Sequence, residues 1–496
     1  MGFIYDYDKE DLKNRVTELL YDVGIKIENE ELQDIMIKKG CKLKSNGRTS
    51  IPSGLVDDYV AYQRSKVNTD VEDELLYSYY GVDFSHWLIW SGRKKEALEK
   101  IKKELMVALF DCGPMKYYDY PTQKMLPNDT DIFIRMMKFA QSTDEVGYIS
   151  GWYRTDAPPK IERIDSLVLA LDYTDKYDGV EAIFPEVIKY LCEISEIVSG
   201  MPGDTRYLSG SECLTSPLIL EKRSAADTLE RARRKVKRYH IASMPTIGVA
   251  SPLSESDSTV LGAAEILGGL VISNCLDPES DLSGRMICDM IDMRTASTSC
   301  TMPDVAAVNL CVKDLFDTFW GGNVWVETFM GPAAKRPGLM AVYENMFGAY
   351  SRAFINEIPD KPYPLFGVLD RGGIGSPTQA ILDIEIRKIQ FYLKNRINFS
   401  NSMPWEEFKD MLDRGKEFLD NDYTLAHFRE KFESKIFLSN EPVLGGWDGT
   451  ETAILDKCDQ IWRDNIKNNY KPPVLVDDDK KRALKKLLKK AKEELL

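Results

Sequence analysis

The segment that decides the fold runs from residue 240 to residue 291. It contains HIASMPTI at 240–247, STVLGAAEILGGL at 258–270 and MICDMI at 286–291, separated by more polar connections. The first and third pieces are short and apolar, as buried strands are, whereas the middle piece is long and carries apolar residues at helical spacing. The order strand, helix, strand predicts one unit of a parallel α/β sheet.

The same alternation continues on both sides of this segment, from about residue 104 to residue 400. It predicts further strands at 147–152, 181–184, 206–210, 323–329 and 364–369, and further helices at 186–197, 225–237, 303–319, 339–354 and 378–396. No G-x-G-x-x-G sequence follows a strand and no Walker A sequence is present, which disfavours a nucleotide-binding open sheet. We therefore expect an α/β fold that is closed as a (β/α)8 TIM-like barrel.

Helical patterns flank the predicted barrel. They divide the chain into an N-terminal mainly helical region at 1–103, a TIM-like barrel catalytic domain at 104–400 and a C-terminal helical extension at 401–496. The last helix follows the N-cap residue Asp477 and has one apolar face, formed by Leu484, Leu487, Leu488, Ala491 and Leu495. Such a face predicts a helix docked on its own chain or on another subunit, and we expect a homo-oligomer.

Charge and cysteine content exclude several classes of protein. The chain has 65 basic and 79 acidic residues, a formal net charge of −14, which would repel a nucleic acid. The nine cysteines are scattered without a C-x-x-C pair, so neither a disulfide framework nor a zinc knuckle is predicted. The N-terminus lacks a signal-peptide pattern, and the apolar stretch 261–275 is too short to span a bilayer. We expect a cytoplasmic protein with no nucleic-acid or membrane partner.

Several short stretches, each weak alone, occur in a specific order and spacing. They include Asp22–Glu28, Gly113–Tyr117, Ser216–Leu218, Ala263–Leu267, Asp292–Thr295, Asp383–Ile386 and Thr424–Phe428. In these stretches the chain resembles the trimethylamine methyltransferase family of corrinoid-dependent methyltransferases. Within that family it is similar to the branch that lacks pyrrolysine, to which glycine betaine methyltransferase belongs.

The resemblance implies a barrel whose mouth receives a methylated amine on one side and the cobalamin of a separate corrinoid protein on the other. The methyl group would pass from nitrogen to Co(I), and the chain itself would hold no cofactor permanently. Members that use trimethylamine carry pyrrolysine, whereas residues 327–336 are all standard amino acids here. The resemblance therefore implies a betaine-like quaternary amine as substrate, with glycine betaine as the first candidate, and a cognate corrinoid protein as partner.

Two departures from the family pattern bear on the substrate. The loop Ser254–Asp257 lacks the Gly/Ala-Thr-Gly-Pro sequence that is common in the family. The helix at 339–354 carries Tyr343, Glu344 and Asn345 but no histidine, where related betaine enzymes are expected to have one. The substrate can therefore differ from glycine betaine.

Aromatic residues are the first candidates for binding a quaternary ammonium, which has no hydrogen to donate and is recognised by aromatic faces. Barrel sites lie at the carboxyl ends of the strands, and this position selects Trp152, Tyr153 and Phe329. Tyr207 belongs to another predicted strand and completes the candidate cage. Core packing is the alternative for each of these residues, because aromatic side chains also fill barrels.

Charged residues and glycines follow the same predicted strand ends. We predict Glu212, Asp289 and Glu327 as catalytic residues, and Asp292, Arg294, Asp370 and Arg371 as substrate-binding residues, since an arginine can hold a substrate carboxylate with two hydrogen bonds. Gly372 and Gly373 are predicted to let the backbone approach the corrinoid closely. Alternatively, Asp289 and Asp292 form structural ion pairs with Arg294 or Arg285, and the glycines form a simple turn.

A metal site is not predicted, because His86, His240 and His427 stand apart in the sequence. A cationic ammonium also needs no Lewis acid, since the tertiary amine leaves as a neutral molecule. Two other functions stay open. One is a barrel hydrolase or lyase that uses Asp289, Asp292 or Glu212 as general acid or base. The other is a betaine-binding regulatory barrel without transfer activity.

Overall fold

The computed structural model describes residues 7–66, 94–100, 105–110, 113–210, 212–236, 238–321, 323–326, 331–356, 366–397, 402–432, 434, 436–437 and 450–496. The candidate residues Glu327 and Phe329 lie outside these ranges, as does His86. The remaining predicted site residues are all described.

The elements alternate along most of the chain. The strands are Ile25–Ile27 (β1), Lys42–Leu43 (β2), Arg48–Ser50 (β3), Val107–Leu109 (β4), Lys116–Asp119 (β5), Lys124–Pro127 (β6), Val146–Ile149 (β7), Val180–Glu181 (β8), Leu208–Ser209 (β9), Glu212–Leu214 (β10), Ile219–Leu220 (β11), Arg238–Ser243 (β12), Thr246–Ile247 (β13), Asp281–Met286 (β14), Asp289–Asp292 (β15), Ser297–Ser299 (β16), Asn323–Val326 (β17), Val368–Leu369 (β18) and Ile374–Gly375 (β19). The helices are Lys9–Glu18 (α1), Glu30–Lys38 (α2), Ser53–Lys66 (α3), Lys94–Lys100 (α4), Thr130–Ser142 (α5), Glu162–Ala170 (α6), Ile188–Ser199 (α7), Lys222–Arg233 (α8), Glu255–Leu276 (α9), Pro303–Leu315 (α10), Leu339–Asn356 (α11), Pro377–Asn395 (α12), Trp405–Asp413 (α13), Asp422–His427 (α14), Glu451–Asn469 (α15) and Asp478–Leu495 (α16). Short 3-10 turns occur at Pro185–Val187, Asp370–Gly372 and Phe428–Glu430, and π-helical turns at Leu19–Val23 and Phe316–Trp320.

The central strands are parallel and follow one another in chain order. β10, β12, β14 and β17 form one parallel sheet, while β4 pairs with β7 and β8 pairs with β9. Single parallel bridges join Leu109 to Phe366 and Ile149 to Tyr177. Sequential parallel strands joined by helices establish the α/β class. A pairing between β17 and the Phe366 segment is not among the described contacts, so closure into a (β/α)8 barrel stays a prediction.

Helix α9 is the central element of the core. Its N-cap, Ser254, accepts a hydrogen bond from the Asp257 amide, and the helix packs against β12 and β14. A Cβ atom on Gly269 would lie 2.5 Å from Cγ2 of Ile241, so glycine permits this close approach. The helix has 22 residues and is apolar enough to cross a membrane, yet 94% of its most apolar window is buried inside the protein. The expectation of a shorter apolar stretch was therefore wrong in length, and the burial identifies a core helix.

Glu265 interrupts the apolar sequence of α9, and its carboxylate is hydrogen-bonded to two neighbouring segments, β12 and the turn before β11. Its carboxylate accepts hydrogen bonds from Ser216 Oγ at 2.8 Å, Ser243 Oγ at 2.6 Å and the Leu218 amide at 2.8 Å. These three bonds satisfy an otherwise costly buried charge. They also fix the turn that leads into β11, which pairs in parallel with β1 of the N-terminal region.

Two predicted strands are each divided in the structure. The predicted strand 240–247 is interrupted before β13, and the predicted strand 286–291 ends at Met286 before β15 begins. β13, β15 and β16 form a small sheet, which we call the first rim sheet. β18, β19, β5 and β6 form a second rim sheet. Because these strands follow β12, β14, β4 and the Phe366 segment, both rim sheets extend from the carboxyl ends of the central strands.

The C-terminal helix forms as predicted. Asp477 caps it by accepting a hydrogen bond from the Lys480 amide at 2.8 Å, and Leu484, Leu487 and Ala491 are buried. This face packs against α6 and α7 of the same chain. The three-part domain division stays a prediction, although α1, β1 and α9 contribute to one continuous hydrophobic core.

Candidate functional site

The inner face of the parallel sheet is identified by the alternation of side chains along β12 and β14. Ser243 binds Glu265 of α9, and a Cβ atom on Gly284 would meet Ile266 of the same helix, so these positions face outward. Successive residues of a strand point to opposite faces, which places Ala242 and Arg285 on the inner face.

One layer of this inner face is described across three strands. Cys213, Ala242 and Arg285 are successive register partners in β10, β12 and β14. In the layer below, His240 Nδ1 lies 2.7 Å from Ser283 Oγ. Cys213, Ser283 and Arg285 remain half-buried despite their position in a central sheet. The side chains that surround Arg285 on this face, at Cys213, Ala242 and Ser283, are small.

Charges of both signs act on this layer. Burial raises the pKa of the Cys213 thiol to about 12, with the carboxylates of Glu181 and Glu212 adding to the effect and Arg223 and Arg285 opposing it. A thiol with this pKa is protonated at neutral pH and is a poor nucleophile. Cys213 is consequently an uncharged residue of the site, on which the Glu181 carboxylate and the Arg285 guanidinium act with opposite sign.

Glu181, at the end of β8, is the accessible carboxylate of the site. Its Oε1 is 3.2 Å from Arg223 Nη1, and the Tyr153 hydroxyl donates to its Oε2 at 3.5 Å. About a third of the Glu181 side chain is exposed, so a ligand can reach the carboxylate. Arg223 comes from the first turn of α8, which begins on the same carboxyl-end side of the sheet.

Glu212 occupies a different environment from the one predicted. It is 4% exposed, and its Oε1 accepts a hydrogen bond from Arg231 Nε at 2.9 Å. Arg231 belongs to α8 and also donates to the Ser209 carbonyl at 3.0 Å. The carboxylate therefore points toward the helix layer and is neutralised there, which does not favour the catalytic role predicted for it.

The acidic residues after β14 form two ion pairs at the rim. Asp289 Oδ2 lies 3.4 Å from Arg371 Nη1, so this pair joins the two rim sheets. Asp292 accepts hydrogen bonds from its neighbour Arg294, which lower its pKa to about 2, and the Arg294 side chain is 86% exposed. The geometry thus agrees with a structural ion pair between Asp292 and Arg294. Asp289 pairs with Arg371, and not with Arg285 or Arg294 as that alternative expected.

The predicted aromatic cage is not assembled by the described residues. Trp152 is completely buried, and its ring packs edge-on against Phe110 with centroids 4.8 Å apart. The Arg163 guanidinium covers one face of Tyr153, 3.4 Å from the ring centroid. Tyr207 is buried immediately before β9, at the amino end of that strand. Core packing therefore accounts for Trp152 and Tyr207, and of the three described candidates Tyr153 alone lies beside the site.

The turn between β18 and β19 has a conformation that requires glycine. Asp370, Arg371 and Gly372 have φ values of 48°, 53° and 98°. The Asp370 amide donates to the Ala334 carbonyl and the Arg371 amide to the Pro332 carbonyl, at 2.9 and 2.8 Å. The left-handed backbone conformation explains why residue 372 is a glycine. A simple turn, which was the alternative to a corrinoid contact, is therefore enough to account for Gly372. A role of Gly372 and Gly373 in approaching the corrinoid stays a prediction.

Sequence reasoning did not select Arg285, Glu181, Arg223 or Asp227 as site residues. The signal for Arg285 was present, because Leu282, Gly284 and Met286 alternate with polar residues and assign Arg285 to the opposite face. Arg223 and Asp227 are four residues apart on α8, a spacing that makes them neighbours on a helix. Only the folded chain brings Glu181 of β8 to them, and that proximity had no local sequence signal.

Among the described residues, no group of three or more His, Cys, Asp or Glu side chains is placed to hold a metal ion. A cavity of about 720 Å³ is lined by residues that precede β4 and β7, including Leu105, Met106 and Glu145. It opens at the amino ends of the strands, opposite the candidate site, where α/β enzymes rarely place their chemistry.

A family model described as trimethylamine methyltransferase (MTTB) matches residues 89–495. The chain belongs to the trimethylamine methyltransferase family. The trimethylamine methyltransferase MttB of Desulfitobacterium hafniense (strain DSM 10664 / DCB-2) is 20% identical over 479 residues, which cover 93% of this chain and 88% of the relative.

Two solved structures of this kind of enzyme are similar at a greater distance. The monomethylamine methyltransferase MtmB of Methanosarcina barkeri is 12% identical with a TM-score of 0.40, over 94% of this chain and 99% of that one. A hydroxylamine complex of MtmB is 11% identical with a TM-score of 0.38 over the same shares. Family membership thus rests on the family model, and the assignment of the site rests on the geometry above.

Proposed function

We propose that this family member moves a methyl group from a betaine-like quaternary amine to the Co(I) corrinoid of a partner protein, within a (β/α)8 barrel. The corrinoid is a substrate carried by the partner, so the chain holds no cofactor of its own. Glycine betaine is the first candidate substrate. A cytoplasmic location and a homo-oligomeric state are part of the same proposal.

The observation that supports a betaine is that two residues of opposite charge, Arg285 and Glu181, both act on Cys213. Glu181 raises the pKa of the Cys213 thiol and Arg285 lowers it, and the small residue Ala242 is the register partner of Cys213. A guanidinium binds a carboxylate with strong, directional hydrogen bonds, whereas a carboxylate complements a cation that cannot donate them. The site therefore suits a zwitterion with a carboxylate and a quaternary ammonium group.

The sequence of residues 327–336 supports the same substrate class. This segment contains only standard amino acids, whereas the trimethylamine enzymes of the family carry pyrrolysine. A quaternary ammonium is already activated, because the amine that departs is neutral. The contribution of this chain is then to hold the substrate in line with the acceptor and to exclude water.

The test follows methyl transfer by the absorbance change from Co(I) to methyl-Co(III) on a reduced corrinoid protein. The donors are glycine betaine, proline betaine, carnitine, γ-butyrobetaine, choline and trimethylamine. We expect at least one betaine to react and trimethylamine to be inert. Failure of every donor, with a corrinoid protein that another methyltransferase can methylate, would contradict the proposal. Binding of a betaine without transfer would support the regulatory alternative instead.

A substitution separates the carboxylate subsite from the rest of the site. Arg285→Gln removes a charge-assisted hydrogen bond worth about 1.5–3 kcal/mol, so we expect KM for the reactive betaine to rise about tenfold or more. Choline has no carboxylate and provides the matched control, either as a slow donor or as a competitive inhibitor. Equal losses for betaine and choline would exclude Arg285 as the carboxylate ligand.

A further inference from the structure

Arg223 lies between two carboxylates, hydrogen-bonded to one of them and more distant from the other. Its Nη1 atom is 3.2 Å from Glu181 Oε1 and 3.9 Å from Asp227 Oδ2. The side chains of Glu181 and Arg223 reach solvent, whereas that of Asp227 is only 3% exposed. The guanidinium thus lies close to the exposed carboxylate of Glu181 and farther from the buried carboxylate of Asp227.

Asp227 is the unsatisfied member of this group. Its Oδ1 atom is buried and has no hydrogen-bond partner in the described structure. Burial raises the pKa of Asp227 from 3.8 to about 8, and the neighbouring Glu212 and Glu181 add to this while Arg231 and Arg223 oppose it. At neutral pH most molecules therefore hold a proton on Asp227.

The other charges around Asp227 are already fixed. Glu212 of β10 is neutralised by Arg231 at 2.9 Å, and Arg231 is also bound to the Ser209 carbonyl. On the side of α9, Glu265 is bound by Ser216, Ser243 and the Leu218 amide. On the side of α7, burial raises the pKa of the Cys192 thiol, and Arg234 and Arg231 oppose this effect. Arg223 is consequently the cation that can move between partners.

We propose that Arg223 pairs with Glu181 while the substrate is absent. A quaternary ammonium that binds at Glu181 then displaces Arg223, which pairs with Asp227 instead. This inference rests on the proposed function, because it assumes a quaternary amine as ligand. Glu181 is then the counter-ion of the substrate, with Tyr153 beside it. Asp227 is a positioning residue that receives the displaced guanidinium.

The charge of the cluster stays balanced during this exchange. One positive charge enters with the ammonium, and Arg223 moves without leaving the cluster. The arriving guanidinium favours the ionised form of Asp227, so its proton passes to solvent. One cation is gained and one proton is lost, and no covalent bond of the substrate changes.

Proton release on binding tests this exchange directly and does not depend on activity. The ligand-free chain is titrated calorimetrically with glycine betaine at pH 7 in two buffers of different ionisation enthalpy. The matched control ligand is 3,3-dimethylbutanoate, which has the same shape and carboxylate but no positive charge. We expect betaine to release close to one proton per site and the control ligand to release none.

Substitutions predict effects of opposite sign. Glu181→Gln removes the counter-ion, so we expect the Kd for betaine to rise about tenfold or more. Arg223→Gln removes the internal competitor, so we expect the Kd to fall. Asp227→Asn removes the titrating group, so we expect betaine to bind without releasing a proton.

The unmodified chain provides an independent measurement in case a variant fails to fold. Because binding releases a proton from a group with a pKa of about 8, the Kd for betaine should fall as pH rises from 6 to 8 and level off above that. A Kd independent of pH, proton release that persists in Asp227→Asn, or effects of the same sign in the Glu181 and Arg223 variants would overturn the exchange. If betaine is demethylated but releases no proton, the proposed function stands and the exchange fails. If no betaine of the donor panel binds or reacts, both fail.

Discussion

At the scale of single residues, the buried pair Glu212 and Arg231 provides a test of structural against catalytic function. Arg231→Met leaves the Glu212 carboxylate buried without its partner, which is expected to reduce the free energy of unfolding by about 3–5 kcal/mol. Arg233→Met is the matched control on the same helix, since Arg233 pairs with Glu31 on the surface and should cost at most about 1 kcal/mol. Urea unfolding of the two variants measures both values.

A catalytic Glu212 would give a different pattern. Glu212→Gln keeps the shape of the side chain, so a catalytic role requires a large loss of methyl transfer with little change in stability. The geometry instead predicts a structural role, in which the Arg231 substitution mainly lowers the free energy of unfolding. Equal stability of the Arg231 and Arg233 variants would contradict a structural ion pair.

Residue positions were predictable from the sequence only where the signal was local. Asp292 and Arg294 are two positions apart, and their pairing was among the structural alternatives. The burial of Trp152 depends on Gly375, where a Cβ atom would collide with the Trp152 ring, and these residues are far apart in the chain. The predicted cage therefore failed for Trp152 because a strand-end position does not tell whether a ring turns toward the core or the ligand.

At the scale of elements, the C-terminal helix α16 offers a prediction with a control on the same helix. Leu487 is 6% exposed and packs with the outer helices, so Leu487→Ala should reduce the free energy of unfolding by about 2–5 kcal/mol. Lys486 is exposed on the opposite face, and Lys486→Ala should change it by no more than about 0.5 kcal/mol. Thermal unfolding distinguishes these outcomes, and equal shifts would show that α16 is not docked in solution.

Elements with strong periodicity were predicted well, and interruptions in apolar runs were not. The apolar face of α16 is encoded by a spacing of three and four residues, which is visible without any partner. The end of β14 is different, because Ile287 and Cys288 continue the apolar run with no glycine or proline to mark a break. Their position is set instead by tertiary contacts, including the hydrogen bond from the Cys288 amide to Asn309 Oδ1 at 3.3 Å.

At the scale of the whole molecule, the sequence correctly indicated the α/β class but did not indicate how the N-terminal region packs. Apolar spacing at 8–39 predicts helices and says nothing about what they cover. In the structure β1 extends the sheet that contains β11, and Ile25 packs at Gly268 of α9. Long-range packing of this kind joins the first residues to the central core and has no signature in a single sequence.

This shared core predicts that the N-terminal region and the central sheet unfold together. Ile25 is completely buried, so Ile25→Ala should destabilise the protein by about 2–5 kcal/mol. The matched control is Ile37→Ala, because Ile37 is 39% exposed on α2 and its truncation should have little effect. Hydrogen exchange at α1 and at α9 would report the two regions separately during urea unfolding. Equal shifts of both midpoints in Ile25→Ala are expected, because removing the side chain weakens a core common to both regions. A shift confined to α1 would instead identify an independently folding N-terminal domain.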